Sequence, residues 1–421
     1  MLFQDATLAD GRVCDVRVDG ETIAAVGDLT PTDDERVIDA TGKRLLPGMI
    51  DAHVHFREPG YSHKETWTSG SKSAAAGGVT TVVDQPNTDP PTVDGEAFDR
   101  KATLATESYV DYGINGGVTE PWDPDSLLAR PLFALGEVFL ADSTGEMGID
   151  ADLFEDALVA AGETDTRVTV HAEDATLFDE SVRDRDDADA WSAYRTAEAE
   201  AVAVERACET AREHDTQIHV AHTSTPEGID TAAETGMTCE VTPHHLFLSR
   251  DDLAELGTHG RMNPPLRSEQ RREAVFERVA DGAVDMIATD HAPHTRAEKD
   301  TDIWSAPSGV PGVETALPLL LAAADRGELS YERVRDLTAA TPAEVFGLDT
   351  KGTVAEGNDA DLVLVESGPR EIRGGGLHTN CEWTPFEGMD GVFPSLTLVR
   401  GSVVYEDGEF GERVGKNVRS A

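Results

Sequence analysis

The segment DAHVHFREPG, residues 51–60, places two imidazoles one residue apart directly after the apolar run RLLPGMI, with an arginine two residues later. Successive strand side chains alternate faces, so His53 and His55 point the same way, and Arg57 shares that parity if the extended backbone persists. Two same-facing imidazoles are a ready pair of metal ligands. A guanidinium beside them suits an anionic substrate better than a metal. Other ligand-capable residues end further β-rich runs: His171 in RVTVHAED, His222 in TQIHVAHTS and Asp290 in VDMIATDHAPH. Glu137 lies in PLFALGEVFLA, and Asp142 follows soon after. A lone histidine is more often packed or at the surface, but four separate runs each finishing in His or Asp form a pattern. Imidazole and carboxylate suit zinc and related divalent ions, and a His-rich set with a bridging carboxylate can hold two.

These residues need elements that bring strand ends together. Eight short β-rich runs follow one another from RLLPGMIDAHVHF to VDMIATDHAPH, most separated by helix-compatible stretches such as DADLFEDALVAAGE and WSAYRTAEAEAVAVERACETAREHD. The alternation predicts an α/β fold, a closed parallel (β/α)8 TIM barrel over residues 48–347, with its active site at the C-terminal strand ends. A doubly wound sheet is the alternative, but no Gly-rich phosphate turn follows the first run. Residues 1–47 and 348–421 read instead as short alternating strands with turns, and they are expected to meet in one small β-sandwich. HTRAEKDTDIWSAPSG, 294–309, has no clean period and is expected to be a mobile active-site loop.

Composition narrows the partners. The 421 residues carry 35 Lys+Arg against 81 Asp+Glu, a net charge of −46, which repels nucleic acid and anionic membranes. The basic residues are nearly all arginine; the lysines are Lys43, Lys64, Lys72, Lys101, Lys299, Lys351 and Lys416. Such an acid-rich, lysine-poor folded chain resembles proteins of salt-accumulating cytoplasms, where screening relieves self-repulsion. With no long apolar run and no signal-like start, a cytoplasmic protein is expected. Cys14, Cys208, Cys239 and Cys381 lie far apart and read as reduced thiols.

Taken together, DAHVHFREPG, VHAED, VAHTSTPEG, VTPHHL, RMNPPLR and TDHAPHT resemble the amidohydrolase superfamily and, within it, the longer hydantoinase-like class of dihydroorotases. The resemblance spans essentially the whole chain. It implies that His53, His55 and Asp290 hold one metal and His171 and His222 a second, with zinc the expected ion. Many relatives bridge the ions with a carboxylated lysine on the fourth strand; here Glu137 occupies that place and is the preferred bridging carboxylate, with Asp142 the alternative. It further implies that Arg57, Asn87 and His294 take the free carboxylate of dihydroorotate and that Asn263 meets the ring's polar edge. Asp290 would also move the proton. The glycine-rich SGVPGVE could bring the backbone around Pro311 and Gly312 to the substrate, although a plain turn explains those residues about as well. The implied activity is the reversible closure of N-carbamoyl-L-aspartate to dihydroorotate, with a homo-oligomer the usual assembly. Allantoinase or dihydropyrimidinase is the rival reading, because those relatives handle rings without the carboxylate and usually lack this arginine. A non-catalytic scaffold of the same fold is disfavoured by the intact ligand set.

Overall fold

A computed structural model describes residues 1–141 and 147–420. Eight short strands carry the site: β1 (Met49–Val54), β2 (Val79–Asp84), β3 (Asp111–Ile114), β4 (Leu135–Phe139), β5 (Val168–His171), β6 (Ile218–Val220), β7 (Thr238–Val241) and β8 (Met286–Ile287). Nearly every residue in them is buried, as expected of parallel strands covered on both faces by helices. The helices between them follow local signals. Trp67–Gly77 starts at a Thr66–Ser69 capping box and stops at Gly78, whose φ of 84° ends the helix without strain. Ala197–Glu213 starts from Thr196, whose hydroxyl accepts from Ala199 N.

The eight runs are present in the expected order and all parallel, but they do not close into one continuous ladder. β1–β2–β3 form one sheet and β4–β5–β6–β7–β8 another. Isolated parallel bridges, Gly116 with Leu135 and Val54 with His291, meet at the two seams. Local sequence explains the breaks. The NGG run after β3 and Gly136 inside β4 weaken pairing on one side. On the other, β8 is two residues long.

The chain ends come together as expected, in one continuous hydrogen-bonded sheet. Its hydrogen-bonded order runs from Glu409–Phe410 through Ser402–Glu406, Pro394–Val399, Leu362–Glu366, Lys43–Pro47, Leu2–Thr7 and Val13–Asp19 to Thr22–Gly27, with Val37–Asp39 beside Leu2–Thr7. The seam between the two ends is the antiparallel pairing of Leu362–Glu366 with Lys43–Pro47. Phe3, Val16, Leu45, Leu362 and Leu398 belong to this sheet's own apolar core. Among the described residues no helix is long and apolar enough to cross a membrane.

Candidate metal centre and active site

Four imidazoles and two carboxylates converge where the strands end. His53 and His55 come from the end of β1, Glu137 from β4, His171 from β5, and His222 and Asp290 from just beyond β6 and β8. Glu137 Oε1 lies 2.6 Å from His222 Nε2 and 3.0 Å from His171 Nδ1. Those two ring nitrogens are 2.9 Å apart. Asp290 Oδ1 lies 2.9 Å from His55 Nε2 and 3.6 Å from His53 Nε2, which is itself 3.3 Å from Glu137 Oε2. Two overlapping buried groups, His53–His55–Asp290 and His53–Glu137–His222, each keep their ligand atoms within 4.8 Å of one another. Asp142 lies outside the described residues.

The outward nitrogens decide what this cluster is for. His53 Nδ1 meets Glu240 Oε1 at 2.6 Å, His55 Nδ1 meets Asn87 Oδ1 at 2.7 Å, and His171 Nε2 meets Glu173 Oε2 at 3.0 Å. Each outer partner is an acceptor, so it draws the ring proton outward and leaves the inner nitrogen as a lone pair. Lone pairs of three rings then face the carboxylate oxygens of Glu137 and Asp290, and His53 Nε2 is buried with no hydrogen bond at all. Acceptors crowded against acceptors are stabilised by a cation between them. The residues therefore fit a divalent metal centre. Burial alone would lower His171, yet the negative charge of Glu137 and Glu173 outweighs it and raises His171 to about 9, the same field that would favour a cation in place of the proton. Burial likewise opposes ionisation of Asp290, but His55, His53 and His222 hold it at about 2.

The two outer acids, Glu173 and Glu240, were not singled out from sequence. Glu240 also accepts from His219 Nε2 at 3.1 Å and from His222 N at 3.2 Å, and Arg195 Nε donates to Glu173 Oε2 at 3.0 Å. Two signals were available: Glu173 shares the strand parity of His171, and Glu240 is an acid inside the apolar run CEV. The backbone adds strain at the same points. Arg57, His222 and Asp290 adopt φ of 65°, 34° and 45°, a region that costs a non-glycine residue roughly 1 kcal/mol or more. Arg57 therefore reaches the site through a turn and not by strand parity, because β1 ends at Val54.

A small cavity opens on this cluster, lined by His55, Arg57, Asn87, Glu137, Asn263 and Asp290 among others. Its other side is cationic. Arg57 is buried, donates from Nε to Pro293 O at 3.3 Å, and holds Nη2 3.2 Å from His294 Nε2. Lys64 Nζ donates to His294 Nδ1 at 3.0 Å, which leaves the proton on Nε2 to be donated to Ser308 O at 2.9 Å. Burial, then Arg57, Lys64 and Lys299, push His294 well below its ordinary range, so it is neutral. Asn263 accepts from Trp191 Nε1 at 2.9 Å. Pro311 and Gly312 are not brought to this cavity: they line a separate small one with His291, whose Nδ1 accepts from Gly312 N at 3.1 Å. Ser308 and Gly309 of the same loop line the active cavity instead. The stretch 294–309, expected to be mobile, is a packed wall. Thr295 caps a short helix, Arg296–Lys299, and Lys299, Ile303 and Ala306 are buried.

The comparisons with known proteins agree with this geometry. The amidohydrolase family model matches residues 44–404. The chain is 68% identical over 421 residues to a protein named dihydroorotase from Halobacterium salinarum, covering 99% of each. It is 42% identical over 427 residues to a dihydroorotase from Methanosarcina acetivorans, covering 96% of this chain and 91% of that one. Among solved structures, an L-hydantoinase (dihydropyrimidinase) from Arthrobacter aurescens superposes with a TM-score of 0.94 at 27% identity, covering 99% of this chain and 98% of its own. The matched span takes in all eight strands and every residue of the converged cluster, and the chain belongs to the amidohydrolase family.

Proposed function

We propose that the chain is a dihydroorotase, interconverting N-carbamoyl-L-aspartate and (S)-dihydroorotate plus water, the ring-closing step of pyrimidine synthesis. The observation that carries this reading is the shared cavity: an imidazole–carboxylate cluster on one side, a buried arginine with a neutral histidine on the other. The relatives named dihydroorotase support it.

His53, His55 and Asp290 would hold one divalent ion, His171 and His222 a second, and Glu137 both, with zinc suited to this donor set. When bound, such ions lower the pKa of water towards neutrality and polarise an amide carbonyl. The protein's own residues do the rest. Arg57 presents a permanently charged fork to the substrate carboxylate, with His294 and Asn87 beside it, so that the ring amide sits over the cluster. Asn263 contacts the ring's polar edge, and the Ser308–Gly309 backbone closes the wall. During ring opening, an Asp290 carboxylate oxygen accepts the proton of the attacking water and returns it to the departing ring nitrogen; closure runs the same transfers backwards.

The test is to purify the protein in molar potassium chloride with zinc, then follow ring absorbance with L-dihydroorotate, allantoin and dihydrouracil. Opening of dihydroorotate alone is expected. Activity confined to allantoin or dihydrouracil would replace this substrate while keeping the centre, and a protein that retains no metal would restore the scaffold reading.

A further inference from the structure

We propose that Lys299 is a positioning residue that sets the cavity's anion-selecting wall, stitching its two loops together and supplying it with an uncompensated charge. This rests on the reading above that the substrate carries a carboxylate. Lys299 is fully buried and directs its three N–H donors to three backbone carbonyls, Arg261 O at 2.9 Å, Pro307 O at 2.9 Å and Gly309 O at 3.0 Å. Arg261 lies two residues before Asn263, and Pro307 and Gly309 flank Ser308, so one ammonium fixes both loops that face the substrate. The fit leaves no slack. Gly309 has φ +127°, and a Cβ there would stand 2.6 Å from Ala292 O.

Lysines elsewhere in the protein show what is unusual. Buried Lys101 pairs with Asp84 at 2.7 Å, and buried Lys351 pairs with Asp111 at 2.8 Å. Among the described residues Lys299 hydrogen-bonds to carbonyls and lies 5.8 Å from the Trp383 ring centre, with no carboxylate paired to it, in a chain where acids outnumber bases by more than two to one. Arg57 is built the same way, donating from Nε to the carbonyl of Pro293. A desolvated cation without a counter-charge is costly, and that cost falls when an anion enters its field. Arg57 and Lys299 thus form a corner whose missing partner is the substrate carboxylate, beside Lys64, whose charge Glu298 meets at 3.2 Å. A neutral ring brings no such relief.

The experiment compares wild-type holoenzyme with Lys299→Met, which keeps the side chain's length and removes its charge and donors. KM and kcat are read on L-dihydroorotate, and Kd by calorimetry for orotate, a ring that keeps the carboxylate, and for uracil, which lacks it. Expected are rises of about tenfold in KM and in the orotate Kd, with kcat within about threefold and uracil binding unmoved. An orotate Kd within about twofold of wild type overturns the inference, as does a fall in kcat together with lost zinc, which marks a packing role. If wild type binds orotate but does not open dihydroorotate, the functional reading fails while the orotate arm still judges Lys299. Should Lys299→Met not fold, Thr258→Val removes the hydroxyl that donates to Lys299 O at 2.7 Å and leaves the ammonium. A rise in the orotate Kd of about threefold is then expected, and no change overturns the proposal.

Discussion

On one side of the cavity the ligand imidazoles are set among carboxylates: His53 between Glu240 and Glu137, His171 between Glu137 and Glu173, His55 against Asp290. On the other, Arg57 and Lys299 rest on backbone carbonyls. The acidity of the chain does not explain the contrast, because an acid-rich sequence offers carboxylates everywhere. Placement does. Acids gather where a cation would be held, while Arg57 and Lys299 hydrogen-bond to backbone carbonyls where an anion would be held, and both arrangements exist before either ligand arrives. That is electrostatic preorganisation, which carries catalytic effect because no reorganisation is needed during reaction.

The contrast can be broken from either side. The largest effect is expected from Asp290→Asn, which removes the proposed proton carrier: turnover of dihydroorotate should fall by about 10³-fold or more while orotate binding changes little. Near-native kcat in that variant would remove Asp290 from the chemistry. On the cationic side, Arg57→Met should raise KM for dihydroorotate by about 10–100-fold, with kcat less affected, and an unchanged KM would leave the carboxylate without its clamp. Glu240→Gln touches neither substrate nor metal directly, yet it takes the negative charge from the acceptor of His53 Nδ1. Metal affinity should drop by about 10–100-fold in a chelator competition, and an unchanged affinity would reduce Glu240 to a core acid.

A further effect, away from the site, concerns stability. Burial holds His245 at about 4, with its Nε2 donating to Pro264 O at 2.9 Å. The folded state keeps this imidazole neutral while the unfolded chain protonates it below about 6.5, so its contribution is complete above that pH and is lost as pH falls towards 4. The loss is on the order of 3 kcal/mol and should appear as a Tm that falls between pH 7 and pH 4.5 more in wild type than in His245→Asn. Parallel Tm profiles would assign the acid sensitivity to other groups.

What could be read from sequence follows the same division. The strands were legible because burial on both faces leaves plain apolar runs, and His53, His55, His171, His222 and Asp290 stood out as polar residues closing such runs. Closure was not legible, since pairing at the seams depends on where Gly116 and Gly136 lie and on how short β8 is. Glu173 and Glu240 were missed because, in so acid-rich a chain, only the parity of Glu173 with His171 and the apolar setting of Glu240 mark them apart from other acids. The 294–309 wall was hidden for a different reason. A four-residue helix is too short to show periodicity, and three backbone carbonyls around an ammonium leave no trace in a sequence. The same limit put the close approach at Pro311 and Gly312 instead of Ser308 and Gly309, because only tertiary contact selects among neighbouring glycines.

The most direct test of the two-sided site is a specificity ratio. kcat/KM for L-dihydroorotate and for dihydrouracil should be measured side by side with the zinc-loaded protein, wild type and Arg57→Met. A preference for dihydroorotate of about 100-fold or more in wild type, lost chiefly from the dihydroorotate term in the variant, is the expected result. Equal use of both rings by wild type, or a preference that survives loss of Arg57, would contradict it.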